Sequence, residues 1–396
     1  MISRVRRTPY ALLHLEDDVV LDIAALFRGE APAASKQAQP IALAILTGER
    51  HRISHEELSL LMSVPADRWV DAGGRDAHIL ARLAEKGLLL SDSADPMHAA
   101  LRERDEALSA SAWNLYAAAY HYMTQWSGVF MRDGEAEDVE LTAQSRAAAQ
   151  ALVAQHGPPP PPFKEMSSSR VLSLPGHERD GALYRALMAR RTTRAFDASA
   201  PMALAELDTV LRYVFGIQGY ARNAADVVCI KRTSPSGGGL HPVEAYPIVN
   251  NVEGVRPGLY HYNAHDHSLE LLYELDPDEG RRMATSFMCG QGYFAAAQVS
   301  FVLTARFYRN HWKYRHHQKA YAGILMDAAH LSQTQYLVSA SVGLGAFVTL
   351  AINGRDIEER LGLDGVQEGA IAMIGCGPRA AEQSPLELQF SRTPPT

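Results

Sequence analysis

Cysteine is scarce in this chain: Cys229, Cys289 and Cys376 are the three among 396 residues. They lie far apart and form no C-x-x-C pair. That spacing excludes a disulfide framework and a thiolate metal cluster, and it predicts a reducing, cytoplasmic setting. Positive charge is not in excess either. The formal net charge of -7 gives no general basic field, which argues against nucleic acid as the main partner. The start, Met1-Ile2-Ser3-Arg4-Val5-Arg6-Arg7, is basic but is not followed by the apolar run of a secretory signal. The most apolar stretch, Tyr293 to Phe307, is too short for a bilayer and contains Gln298 and Arg306, so no membrane partner is expected. No G-x-G-x-x-G follows a strand pattern, and a Rossmann dinucleotide site is not indicated. Hydrophobic residues at 47% and charged residues at 21% predict a globular, core-forming protein, long enough for two or three units.

The clearest boundary is Gly157 followed by the proline run Pro158 to Pro162, a stiff spacer that joins neither a helix nor a central strand. It divides the chain into residues 1–95, a small unit of strands and two helices with a winged-helix-like pattern, residues 96–163, a helical segment and proline-rich linker, and residues 164–396. In the first, Tyr10 to Ile23 reads as two short strands joined at Glu16-Asp17-Asp18. Ser54-His55-Glu56-Glu57 has the capping-box pattern and starts a helix through Leu61. A second helix runs from Arg75 to Lys86 with Gly87 as its stop, and Leu88 to Leu90 is a strand. The second helix carries Arg75, Arg82 and Lys86 against Asp76 and Glu85, so peptide docking or a structural role is expected rather than DNA binding. Leu101 to Trp126 and Glu140 to Gln155 read as helices, with Trp113, Tyr116, Tyr120 and Trp126 expected to pack against the rest of the protein. Beyond the linker, helices alternate with strands. Helices are predicted at Gly181–Arg190, Ala203–Phe215 and Ala322–Ala340. Strands are predicted at Ala245–Asn250, Ala296–Ala305 and Ala370–Ile374, and a hairpin at Leu259–Tyr273. This is an α+β domain of helices on a mixed sheet.

Two segments carry chemistry. Arg190-Arg191-Thr192-Thr193-Arg194 groups cations and hydroxyls where a helix ends. As a bare feature this complements a helix dipole; with the hydroxyls it is an anion-binding set. Some forty residues on, Thr233-Ser234-Pro235-Ser236-Gly237-Gly238-Gly239-Leu240-His241-Pro242 is a glycine-rich loop that lets backbone approach a flat ring. Together they point to an anionic, planar cofactor. Lys313-Tyr314 lies among Arg306, Arg309, Arg315 and Lys319, which by spacing alone is a solvated basic loop. His316 and His317 are adjacent and make poor joint ligands, so no metal is assigned.

Arg190-Arg191-Thr192-Thr193-Arg194-Ala195-Phe196-Asp197 followed by Pro235-Ser236-Gly237-Gly238-Gly239-Leu240-His241-Pro242 resembles the nitroreductase superfamily of FMN enzymes. Within it the chain is most similar to the SagB/ThcOx-type dehydrogenases of ribosomal peptide maturation. Gly258-Leu259-Tyr260-His261-Tyr262, Trp312-Lys313-Tyr314 and Gly343-Leu344-Gly345 carry the likeness further, over roughly residues 165–392. The resemblance implies a nitroreductase-like, dimeric FMN domain. It places Arg190, Arg191, Thr192 and Arg194 at phosphate, ribitol and the pyrimidine edge, and Pro235, Ser236, Gly237, Gly238 and Gly239 over the isoalloxazine. It places an amide near Leu350, within Thr349 to Ala351, at flavin N5, and Arg392 at the phosphate, with Arg379 as the competing candidate. It makes Lys313 the base and Tyr314 its orienting partner, with burial and the nearby arginines expected to depress the lysine pKa. Tyr321 and Asp327, the latter standing where relatives carry glutamate, are further candidates for the flavin side. The activity implied is FMN-dependent dehydrogenation of azolines to azoles in a precursor peptide, in a homodimer and with partner maturation enzymes. The alternatives are a flavin-dependent reductase of dehydroamino acids, a reductase of nitro or quinone compounds, and a catalytically silent peptide-binding scaffold.

Overall fold

The computed structural model describes residues 2–21, 34–131, 138–164, 166, 171–176 and 178–390. Two compact units result, one made of residues 1–126, 306–324 and 358–369, the other of 127–305, 325–357 and 370–396.

The first unit opens with β1 (Arg4–Arg7), β2 (Ala11–Leu21), β3 (Ala34–Ala44) and β4 (Glu49–Arg52). It continues with α1 (His55–Ser63), β5 (Val70–Asp71), α2 (Ala77–Glu85), β6 (Leu89–Ser91), α3 (Pro96–Ala110) and α4 (Leu115–Thr124). The expected capping box is formed: Ser54 Oγ accepts from Glu57 N at 3.1 Å and Glu57 Oε2 accepts from Ser54 N at 2.8 Å. Two small sheets, β5-β1-β6 and β2-β3-β4, enclose a core of Val5, Ala42, Ile53, Leu61, Leu83 and Leu88. Fully burying each such leucine contributes about 1.5–3 kcal/mol.

Two expectations are corrected here. Tyr10 to Ile23 is not a pair of strands with a turn at Glu16. From Ala11 it is one strand to Leu21, paired without interruption to β3 through Leu15↔Pro40, Glu16↔Gln39 and Asp17↔Ala38, and residues 22–23 lie outside the described residues. Asp17 is exposed and Glu16 pairs with Arg50. Leu101 to Trp126 is not one helix either. α3 ends at Ala110, Ala112 takes φ +53°, and Asn114 caps α4 by accepting from Tyr116 N and Ala117 N. Of the four aromatic residues, Trp113 alone is buried; Tyr116 and Tyr120 are 63% and 58% exposed. The α3–α4 break puts Trp113 off the helical spacing that grouped them.

The second unit contains α5 (Asp138–His156), α6 (Ala182–Ala189), α7 (Leu204–Val214), a hairpin of β7 (Gly219–Arg222) and β8 (Val228–Lys231), and β9 (Val243–Val249). β10 (Gly258–Asn263), β11 (Ser268–Glu274), α8 (Pro277–Phe287), α9 (Gly292–Ala295) and β12 (Val299–Arg306) follow. The chain ends with α10 (Phe307–His311), α11 (Ala320–Ser341), β13 (Gly345–Thr349), α12 (Gly354–Leu361) and β14 (Glu368–Gly377). The proline run takes neither helix nor strand. A six-stranded sheet in the order β11-β10-β9-β12-β14-β13 forms the core. β9 and β12 pair antiparallel from Val299↔Val249 to Ala305↔Val243, and β12 is buried from Val299 to Ala305, which is why its sequence is apolar without alternation. The α+β class read from the sequence is the class observed. Among the described residues no helix is long and apolar enough to cross a membrane, and no group of three or more His, Cys, Asp or Glu is placed to hold a metal ion.

Candidate functional site

The arginine turn begins where α6 stops. Arg190 is the C-cap, with ψ 128°, and its amide still donates to Ala186 O. The chain then runs alongside β13: Thr192 bridges Ala346 in parallel and Thr193 N donates to Ala346 O at 2.8 Å. This approach is close enough that Gly345 is required. A Cβ there would stand 2.7 Å from both Thr193 Cγ2 and Thr193 Oγ1. Thr192 Oγ1 lies 2.9 Å from Tyr336 Oη on α11, and the Arg190 guanidinium covers the same ring at 5.4 Å. Arg194 lies over Phe294 at 5.7 Å. The backbone amides of Arg194 and Ala195 both donate to Glu387 Oε1, at 2.5 and 3.3 Å.

Arg190, Arg191, Thr192 and Arg194 line a cavity of about 750 Å³ together with Met188, Gln383, Glu387 and Phe390. That volume falls within the range of about 300–1,000 Å³ typical of small-molecule sites. Arg190, Arg191 and Arg194 all face it, and among the described residues none of them makes an ion pair. Three always-charged, forked donors with one carboxylate near them match a phosphate-bearing group. Arg379 stands behind this turn. Burial, and then the charge of Arg191, hold its pKa below the usual arginine value against the opposing charge of Glu387. Its Nη2 donates to Leu344 O at 3.5 Å. Arg392, the other late cation, lies outside the described residues.

The glycine loop is built by α11 as well. Asp327, 4% exposed, accepts from Gly237 N through Oδ1 at 2.9 Å and from Ser236 Oγ through Oδ2 at 2.5 Å. Ser236 Oγ in turn accepts from His241 N at 2.8 Å. One turn of the chain is thereby stitched around a hydroxyl, so that Ser236 is engaged inside the loop. Ser234 Oγ bonds to Thr334 Oγ1 at 2.6 Å. Gly237 to Gly239 form a single 3-10 turn in which Gly238 takes φ +66° and Gly239 φ +70°, the left-handed region that glycine enters without a Cβ penalty. Around Gly239 a Cβ would meet no atom within 4 Å, and Pro235 and Gly238 are exposed. Asp327 anchors the loop.

Within one chain the two segments lie against different faces of α11. Asp327 and Thr334, seven residues apart, are stacked about two turns apart on one face. Tyr336, nine residues from Asp327, leaves the helix about 180° from it. No residue of the glycine loop lines the arginine cavity.

Leu350 follows β13 and is 74% exposed. In the segment Thr349–Ala351, the Ala351 amide already donates to Thr349 Oγ1 at 3.1 Å, while Thr349 is in ladder register with Met373. The Leu350 amide makes no hydrogen bond to another described residue.

Lys313 and Tyr314 belong to the first unit, in the turn after α10, where both amides approach Asn310 O at 3.2 Å. Lys313 Nζ is 5.5 Å from the Tyr314 ring centroid, and Lys313 is exposed in this chain rather than buried as expected. Tyr321, also read as a candidate for the flavin side, is buried in an aromatic cluster of the same unit. Trp113, His121, Tyr122, Phe307 and His311 complete that cluster, with Trp113–Phe307 centroids 4.6 Å apart. Tyr321 Oη bonds to His121 Nδ1 at 2.9 Å. Burial pushes the His121 pKa down to about 3 and the His311 pKa to about 4, and raises that of Tyr321. Sequence reasoning missed Tyr336 and Glu387, which belong to no local motif.

Residues 187–377, just under half of the chain, match the Nitroreductase family model. A protein of Methanocaldococcus jannaschii named as a nitroreductase is 28% identical over 199 residues, 50% of this chain and 91% of its own length. The trifolitoxin-processing protein TfxB of Rhizobium leguminosarum is 26% identical over 171 residues, and the match spans 43% of each chain. A crystal structure of a nitroreductase-type protein from Anabaena variabilis aligns over 50% of this chain and 38% of its own with 22% identity and a TM-score of 0.42. The fold of the domain is nitroreductase-like.

Proposed function

From the match of residues 187–377 to the Nitroreductase family model, we propose an FMN-dependent oxidoreductase that modifies a ribosomally made precursor peptide and dehydrogenates its azolines to azoles. The observation that carries the cofactor is the cavity of about 750 Å³ lined by three arginines, none of which makes an ion pair among the described residues. The similarity to a trifolitoxin-processing protein supports a peptide substrate. FMN supplies the acceptor for a two-electron oxidation. Arg190, Arg191 and Thr192 would hold its phosphate and ribitol, Arg194 would stabilise negative charge gained on reduction, and the Leu350 amide would supply a hydrogen-bond donor to the ring. Pro235, Ser236, Gly237, Gly238 and Gly239 give the ring a smooth wall. Because the arginine turn and the loop contact opposite faces of α11, a second copy of the chain supplies the loop to the site, and the active form is a homodimer.

Azole formation removes one proton and one hydride from adjacent ring atoms. Lys313 takes the proton and Tyr314 orients its amine. Residues 1–95 dock the peptide, with partner maturation enzymes supplying the cyclised residue.

Purified protein should be yellow. Lys313→Ala and Tyr314→Phe should abolish turnover of a co-expressed azoline peptide, read by mass spectrometry as the loss of two hydrogens, while the bound-flavin spectrum stays intact. Colourless protein overturns the cofactor, and parental turnover in both variants overturns the base. The coverage of 91% of the archaeal nitroreductase-named protein favours a second reading, reduction of a nitro or quinone compound. Rapid bleaching of the flavin by NAD(P)H, with no change in any peptide, would select it.

A further inference from the structure

His316 has no role in the chemistry above, yet its setting is the most constrained in its turn. It takes φ +52°, and Ala112 takes φ +53°. Non-glycine residues hold the left-handed region only where their surroundings impose it. Here each residue is tied to the segment of the other. His316 N donates to Ala112 O at 3.0 Å, His316 Nδ1 donates to Trp113 O at 3.1 Å, and His316 O accepts from Asn114 Nδ2 at 3.0 Å. The backbone donor, backbone acceptor and imidazole of one residue are therefore all bound to Ala112–Asn114.

That receiving segment is itself fixed. Trp113 is 1% exposed and its Nε1 donates to Val366 O at 3.0 Å. Asn114 Oδ1 accepts from Tyr116 N at 3.0 Å and from Ala117 N at 3.2 Å, so one carboxamide caps α4 and grips His316. The other end of the turn is held by His311, whose Nδ1 donates to Ser111 O at 3.2 Å. Lys313 and Tyr314 lie between these two clasps.

We propose that His316 and Asn114 are positioning residues, which hold the Lys313–Tyr314 turn in its working geometry by locking it to the α3–α4 junction. This rests on the assignment of Lys313 as base. An amine that must meet one proton of a bound ring loses about 100-fold in rate when misplaced by about 1 Å. An exposed lysine on an unsupported turn would have no such definition.

Two variants separate positioning from folding. Asn114→Asp keeps a side-chain cap on α4 but removes the Nδ2 donor to His316. His316→Gly accepts the positive φ but removes the imidazole bond. Hydrogen exchange of the 313–317 amides and steady-state oxidation of a synthetic thiazoline peptide under air are measured on both, with Lys313→Ala alongside. Faster exchange confined to 313–317, with kcat lower by about 100-fold, an unchanged KM and parental melting and flavin spectra, is the expected result. Unchanged exchange, or faster exchange with parental kcat while Lys313→Ala abolishes turnover, overturns the clasp and leaves the base assignment standing. Parental turnover in Lys313→Ala overturns the base assignment and the clasp's purpose with it.

Discussion

Asp327→Ala tests how the glycine loop is held. The carboxylate is 4% exposed, so its bonds are little screened, and it accepts from Gly237 N and from Ser236 Oγ. A hydrogen bond to a charged partner contributes about 1.5–3 kcal/mol. Removing both acceptors therefore costs about 3–6 kcal/mol, which for a unit of this size lowers the melting temperature by roughly 6–24 °C. Asp327→Asn separates the two bonds. Its Oδ1 still accepts from Gly237 N, but its amide cannot accept from the Ser236 hydroxyl, which predicts about half the loss, about 1.5–3 kcal/mol. Thermal and denaturant unfolding of the three proteins give the stability series, and flavin retained after gel filtration gives the functional one. The order parent, Asn, Ala should hold in both. An Asp327→Ala protein that melts with the parent and keeps its flavin would refute the anchoring argument, because the loop would then be holding its own shape.

Gly345→Ala should destabilise by about 1–3 kcal/mol through overpacking, since its Cβ would stand 2.7 Å from Thr193, and flavin affinity should fall with it; fluorescence titration and urea melts check both. Acid should weaken the first unit. His121 and His311 have folded pKa values held down at about 3 and about 4, by burial first, so the unfolded chain binds their protons near pH 6.5 and the folded one does not. Stability is then full above the unfolded value and falls as the pH drops below it, by about 2 kcal/mol per histidine at pH 5. Denaturant titrations at pH 7.5 and pH 5 should show a combined loss of about 4 kcal/mol, halved in His311→Gln. The same loss in His311→Gln as in the parent would rule out its part. Lys313→Ala and Tyr314→Phe should remove turnover while the flavin spectrum persists.

Much of the fold was legible because local rules agreed with the tertiary outcome. The capping box at Ser54, the stop at Gly87, with φ +68°, and the long apolar helix near Ala320–Ser341 each follow from short-range sterics and hydrogen bonding. Local rules failed where long-range pairing decided. Glu16-Asp17-Asp18 has turn chemistry, yet continuous pairing with β3 carries the strand through it. The alanine-rich run before Trp126 reads as one helix, yet the chain breaks at Ala112, where Ser111 to Asn114 meet His311 and His316. A segment 200 residues away in the chain leaves no trace in a local window.

The sequence alone determined the residue types of the site: a cation-and-hydroxyl turn, a loop too glycine-rich to hold side chains in the way, and a Lys-Tyr pair. These are local properties, fixed by covalent chemistry and backbone freedom. Only the tertiary structure decided how they are used. One helix, α11, spaces Asp327 and Tyr336 about half a rotation apart, which sends the loop and the arginine turn to different faces, engages Ser236 internally, and brings Glu387 to the turn. The angular spacing of side chains around a helix is set by its geometry, but which distant segment docks on each side is set by packing, and packing is a property of the whole chain.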